Sequence, residues 1–177
     1  KAGLSSLKTT QTSVHIVRSL GGWLCFLCYY LAIDHVPLVD AALLRSASPL
    51  CVPLVIWCIT FRSIPALHWL PIIVGFIGVG LILRPGADSV SVWHIVGFFS
   101  AVFLAVSMVF TRKLTFTEPG YRILFYYFLV SFLCGLPLMV IGWQPIELRW
   151  VPYLLFIGIS IYLALWLYTK AYTYAKA

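Results

Sequence analysis

Acidic side chains are scarce in this chain. Among 177 residues there are five Asp and Glu against twelve Lys and Arg, and charged residues make up only 10%. The acids are too few and too peripheral for general acid/base chemistry, and no two are paired. A membrane-embedded enzyme would need His, Asp or Glu clustered at one face, and no such cluster is present. The four histidines, His15, His35, His68 and His94, show no i, i+4 pair, so no metal site is implied. There is no Ser-His-Asp set and no phosphate loop, and no cofactor is expected. Five cysteines, Cys25, Cys28, Cys51, Cys58 and Cys134, all fall within apolar runs. Cys25 and Cys28 have a redox or metal spacing, but no second pair or His cluster accompanies them. They read as packing thiols. No apolar run alternates with period two, which excludes barrel strands. Neither an initiating Met nor a signal peptide is visible, and the last residues follow directly on an apolar run. Both ends look cut, and a fragment of a longer protein is expected.

Apolar residues are abundant instead: 62% of the chain, with a mean hydropathy of +1.01. Soluble domains are about 45–50% apolar and about 25% charged. The excess cannot all be core, because a soluble chain must cover its surface with polar groups. The fold class is therefore an all-α integral membrane protein, a polytopic helical bundle in contact with the lipid bilayer. Six transmembrane spans are expected, over about 14–35, 39–60, 68–85, 92–111, 121–143 and 150–171. The glycines of the third, Gly75, Gly78 and Gly80, suit close helix packing. The net charge of +7 does not indicate nucleic acid, since the basic residues sit singly between apolar runs.

Those basic residues set an orientation. With the N-terminal loop cytoplasmic, Lys1, Lys8, Arg18, Arg62, Arg112, Lys113, Arg122, Lys170 and Lys176 fall on or near that side, and only Arg84 and Arg149 fall opposite. Nine against two is a strong positive-inside bias. Four of the five acids, Asp34, Asp40, Asp88 and Glu147, lie on the outer side.

The second span is the unusual one. DAALLRSASPLCVPLVIWCITF, 40–61, carries Arg45 and two prolines, Pro49 and Pro53. Neither proline can bond the carbonyl four residues back, and free carbonyls are tolerated in hydrocarbon only beside protein or a watery cavity. An arginine in a span costs several kcal/mol unless it reaches water or a partner. It either snorkels towards Asp34 or Asp40, joins a buried ion pair, or faces a cavity and binds a carboxylate or phosphate. Ser48 and Pro49 lie on the same face. Ser48 either touches cargo or back-bonds its own helix; Pro49 breaks the helix near mid-membrane, where such carriers bind solute. Aromatics repeat at spacings of three and four in the first span (Trp23, Phe26, Tyr30) and the sixth (Tyr162, Trp166). Mid-span Tyr30, Tyr162 and Trp166 are too deep for an interfacial belt. The candidate substrate-binding residues are thus Arg45, Ser48, Pro49, Tyr30, Tyr162 and Trp166. Trp69, Trp93, Trp143 and Trp150 sit at span ends and read as belt residues.

A shift of 139 residues lays WLCFLCYYLAI, 23–33, on YLALWLYTKAY, 162–172, with Leu24 on Leu163, Tyr29 on Tyr168 and Ala32 on Ala171. The two spans run in opposite directions under the charge count, as an inverted repeat requires. Several stretches then carry a resemblance: HIVRSLGG at 15–22, YYLAIDHVPLVDAALLRSASPL at 29–50, VGFIGVGLILRPG at 74–86, FFSAVFLAVSMVFTRKL at 98–114 and LWLYTKAYTYA at 165–175. In order and spacing they resemble the EamA-type members of the drug/metabolite transporter superfamily, with Pro49 on the family's characteristic proline in its fourth helix. The resemblance implies ten helices in two inverted five-helix repeats. The six spans would then be helices three to eight, with 1–88 the end of the first repeat and 89–177 the start of the second. Where the family commonly has an acid after the fourth helix, this chain has Phe61 and Arg62, so no role for that carboxylate carries over.

The resemblance also implies a carrier of a small-molecule solute in the cytoplasmic (inner) membrane. Its cargo would be amino acids, related metabolites or cofactors, usually moved outward, by alternating access around a midplane cavity. A flippase for a phosphate-bearing lipid carrier and a non-transporting scaffold are the alternatives. Nothing in the sequence fixes the oligomeric state, and a homodimer is compatible with it.

Overall fold

The computed structural model describes residues 9–61, 66–83, 91–142 and 147–174, and all regular structure in them is helical. The helices are α1 (Thr12–Ile33), α2 (Leu38–Ser46), α3 (Ser48–Thr60), α4 (Ala66–Leu83), α5 (Val92–Thr115), α6 (Gly120–Ile141) and α7 (Val151–Tyr174), with a 3-10 turn at Leu148–Trp150 before α7. On described residues, Thr12–Ile33, Val92–Thr115, Gly120–Val140 and Leu148–Tyr172 are long and apolar enough to cross a bilayer. The pair α2 and α3 makes a fifth if its bend of 42° is one broken span.

Six spans were expected; on the described residues four meet the requirement, and the α2–α3 pair makes a fifth. The remaining expected span corresponds to α4, Ala66–Leu83. Its described side chains cover only Trp69–Leu81. The expected repeat boundary at 88/89 lies outside the described residues, as does Trp143.

Helix ends follow local chemistry. Pro37 and Pro119 precede α2 and α6 in extended conformation. α5 continues past its expected end at 111 to Thr115, carrying Arg112 and Lys113 in its last turn, where cations complement the helix dipole. The expected kink at Pro49 is a break between two helices, two residues earlier at Ala47. α2 stops at Ser46, and Ala47 donates its N–H to Leu44 O at 3.1 Å. Pro49 then occupies the first turn of α3, where a missing N–H costs nothing. Pro53 remains inside α3. α3 closes on Phe61 in the left-handed region, φ 51°.

The chain divides into two compact units, residues 1–19 with 110–177, and residues 20–109. The core of the second is built on small side chains. Ala47, Cys51, Val55, Ala101 and Ala105 are buried under Leu50, Phe76, Phe98 and Val102. Ala32, Val36 and Ala41 form a second cluster with Tyr29, Ile33 and Trp93. Small residues let helix backbones approach, which is how apolar helices attract one another in lipid. Among the described glycines, the closest approach to backbone atoms is at Gly21, where an added Cβ would stand 3.1 Å from Phe103 O and 3.3 Å from Ser107 N. In α4, Gly75 faces the Leu50 side chain, whereas Gly78 and Gly80 have nothing within 4 Å. Among the described residues, Gly75 is the one member of that expected trio that meets a neighbour. Trp93, expected in an interfacial belt, stacks on the His35 ring at 3.6 Å between centroids. In the unit of residues 1–19 and 110–177, the buried residues include Leu114, Ile123, Leu124 and Tyr127, beside His15, Arg18, Ser19, Thr111, Glu118 and Thr169. Over Val151–Ser160, α7 is exposed throughout.

Candidate functional site

In the unit of residues 20–109, Arg45 is the penultimate residue of α2, followed by Ser46 and the break at Ala47. Its guanidinium carbon lies 4.5 Å from the Phe26 ring centroid and 4.7 Å from that of Tyr29. Such stacking contributes about 0.5–2 kcal/mol, more as the site is desolvated. It engages the faces of the planar cation, while the N–H donors point outward in its plane. Among the described residues no carboxylate lies within ion-pair distance of Arg45. Asp40 sits instead 3.9 Å from His94 Nε2. Among the described residues the side chain therefore closes no salt bridge. Ser48 is buried at the first position of α3, and Pro49 beside it is exposed. Tyr30 is exposed and packs on Phe26 and Tyr29, at 6.3 and 5.9 Å between centroids. Arg45, Ser48, Pro49 and Tyr30 thus belong to one unit.

Tyr162 and Trp166 belong to the other. Tyr162 packs on Phe128 at 6.0 Å between centroids. With Tyr121, Leu124, Phe125, Leu129 and Phe132 these two line an apolar groove of about 440 Å³. Trp166 lies under Lys170 Nζ, 4.9 Å from its ring centroid. A smaller groove of about 270 Å³ runs along Gly120, Tyr121, Trp166, Thr169 and Lys170.

Sequence reasoning passed over a polar cluster in this same unit. Thr9 Oγ1 donates to Glu118 Oε1 at 2.6 Å, and Arg122 pairs with Oε2 of the same carboxylate. His15 stacks on Tyr126, 4.6 Å between centroids. Arg18 Nε donates to Thr111 Oγ1 at 3.1 Å, and its guanidinium stands over Tyr127. In the sequence Arg18 reads as an orientation marker, and His15 only as a histidine without an i, i+4 partner. The available signal was their spacing: His15, Arg18 and Ser19 stand at i, i+3 and i+4, on one helix face.

Burial works against the Glu118 charge. The hydrogen bonds from Thr9 and Arg122, and the Arg122 charge, outweigh it and hold the carboxyl below the usual carboxylate range. A lowered folded-state pKa stabilises the fold above the unfolded pKa, and that stabilisation disappears as pH falls through the folded value. Glu118→Gln is expected to cost about 1–3 kcal/mol at pH 7, as for a hydrogen-bonded buried charge. The difference in melting temperature between variant and parent should shrink as pH drops below about 4.

Residues 5–84 match the model of the EamA-like transporter family. Over 168 residues, 92% of its length, the chain is 36% identical to the pseudopaline exporter of Pseudomonas aeruginosa, covering 58% of that protein. The chain belongs to the EamA-like transporter family. Other relatives in the family's range include the S-adenosylmethionine uptake transporter of Rickettsia bellii, 25% identical over 99% of this chain and 60% of that one. The riboflavin transporter of Vibrio cholerae is 28% identical over 97% of this chain and 58% of its own length. This EamA-like chain thus spans about three-fifths of the length of the curated relatives it matches. No solved structure matches it significantly.

Proposed function

We propose that the protein is a multi-pass transporter of the cytoplasmic (inner) membrane that moves small metabolites outward by alternating access. One observation carries this reading. A cation sits on two aromatic faces beside a break in an otherwise apolar helix pair, with no acid among the described residues to neutralise it. Helices broken within the membrane are where carriers of this kind bind solute. The outward direction follows the Pseudomonas relative, which is named an exporter. Residues 1–88 and 89–177 are read as parts of two successive repeats, supported by a family match that ends at residue 84. Arg45, Ser48, Pro49, Tyr30, Tyr162 and Trp166 are the cargo contacts in this reading. Arg45 supplies the charge, Ser48 a hydroxyl, Pro49 the break, and the aromatics apolar walls.

The test is transport by the full-length protein in proteoliposomes, screened against labelled amino acids, nucleosides and sulfonium metabolites. Saturable flux above empty liposomes for at least one class is the expected result. A folded protein that moves no compound of any class would favour a scaffold and end this reading.

A further inference from the structure

The unit of residues 1–19 and 110–177 holds a buried cation, Arg18, with no counter-charge among the described residues. Arg18 is 2% exposed. It spends its Nε on Thr111 and lays its face on Tyr127, and its other electrostatic neighbour is a second phenol, Tyr168. Arg18 Nη1 has no hydrogen-bond partner among the described residues. The same holds for both ring nitrogens of His15 and for Ser19 Oγ, and all of these atoms are sealed from solvent. Four of the chain's five acids are described, and none pairs with Arg18. Glu118 is taken by Arg122, Asp40 faces His94, Glu147 pairs with Arg149, and Asp34 has no ion pair. The fifth, Asp88, lies outside the described residues.

Burying an unpaired cation costs several kcal/mol, and each sealed donor without an acceptor costs about 1–3 kcal/mol more. Native structures rarely tolerate such groups without a reason. Here they converge. One turn of α1 places a guanidinium, an imidazole and a hydroxyl along one face, and among the described residues Arg18 Nη1, both His15 ring nitrogens and Ser19 Oγ have no hydrogen-bond partner. An oxyanion is the chemical species that would satisfy the set, because a guanidinium binds carboxylate or phosphate oxygens through paired N–H donors.

We infer that Arg18, with His15 and Ser19, is an oxyanion-binding site that this conformer holds shut and that takes a carboxylate or phosphate group when the surrounding helix ends part. The inference rests on the transport reading in one respect: it needs a conformer that opens. In the closed conformer Thr111 and Tyr127 hold the guanidinium in place. In the open one the bound oxyanion replaces the missing counter-charge. The same chemistry serves an anionic solute or an anionic lipid headgroup.

The experiment is thermal melting of the purified full-length protein in a neutral detergent at fixed sodium chloride. Three additions are compared: succinate, its neutral diamide succinamide, and phosphatidylglycerol doped into the micelles. Saturating succinate should raise the melting temperature by about 5 °C or more, and succinamide should leave it unchanged. Arg18→Gln and Arg18→Met should each abolish the rise. A rise that needs phosphatidylglycerol, not succinate, and still needs Arg18 supports the site with a headgroup as its source. No rise with either anion, or a rise that survives both substitutions, overturns the inference. Should both variants fail to fold, Ser19→Cys in a background with the five native cysteines changed to serine keeps the question open to a decision. Succinate should slow maleimide labelling of the introduced thiol at least threefold, and an unchanged rate overturns the site. Transport without any Arg18-dependent anion effect would sink this inference and leave the transport reading standing. An Arg18-dependent anion effect in a protein that transports nothing would do the reverse.

Discussion

Arg45→Ala is expected to lower transport at least tenfold while leaving expression and melting close to the parent. The magnitude follows from the contact proposed. One charge-assisted hydrogen-bonded pair is worth about 1.5–3 kcal/mol, or roughly ten- to a hundredfold in binding. The small effect on folding follows from two opposing terms. Alanine loses stacking on Phe26 and Tyr29, but it also removes a half-buried charge that no described acid neutralises. Arg45→Lys separates charge from shape. Lysine keeps the cation but lacks the planar face and the fork of donors, so its flux should fall between alanine and the parent. Wild-type flux from the alanine variant at equal protein level would finish Arg45 as a cargo contact.

The largest effect on folding should come from Gly21→Leu. At this position a Cβ already stands 3.1 Å from one backbone atom of α5 and 3.3 Å from another. Backbone cannot rotate aside as a side chain can, so a larger group must push α1 and α5 apart. Overpacking of this kind costs about 1–3 kcal/mol and occasionally more, and here the obstructing atoms are main chain. Gly21→Leu is therefore expected to lower the melting temperature by about 10 °C or to abolish a monodisperse preparation. Gly21→Ala should cost less, since only the Cβ must be accommodated. Gly78→Leu is the control: nothing lies within 4 Å of that position, and its melting should stay near the parent's. Equal melting for the position 21 and position 78 leucine variants would show that the contact does not matter.

Hydropathy located the helices because in a bilayer the requirement for apolar length is simple and local. It could not locate what depends on partners. The break was expected at Pro49, where the sequence loses an N–H. It falls at Ala47, because a proline is most easily accommodated by starting a new helix with it in the first turn. Three glycines in α4 looked equally like packing positions, yet among the described residues only Gly75 meets a neighbour. The decisive glycine, Gly21, stands in a plain Gly-Gly pair whose importance depends on which turn of α5 lies opposite. Arg45 was conspicuous because it interrupts an apolar run. Arg18 was not, since a basic residue near the start of a span has an ordinary explanation in membrane topology. Only the surroundings of its guanidinium distinguish it from the other arginines at span ends.

The elbow between α2 and α3 also bears on the lipid. Held straight, the segment Leu38–Thr60 would measure about 34 Å at 1.5 Å per residue. Tilting nine of its residues by 42° shortens its span along the α3 axis to about 31 Å, close to the hydrocarbon thickness of an ordinary bilayer. Any step that straightens the elbow must lift a segment end by several ångströms against the surrounding acyl chains. Acyl-chain length then becomes a thermodynamic variable of the protein: thick bilayers favour the straight form and thin ones the bent form.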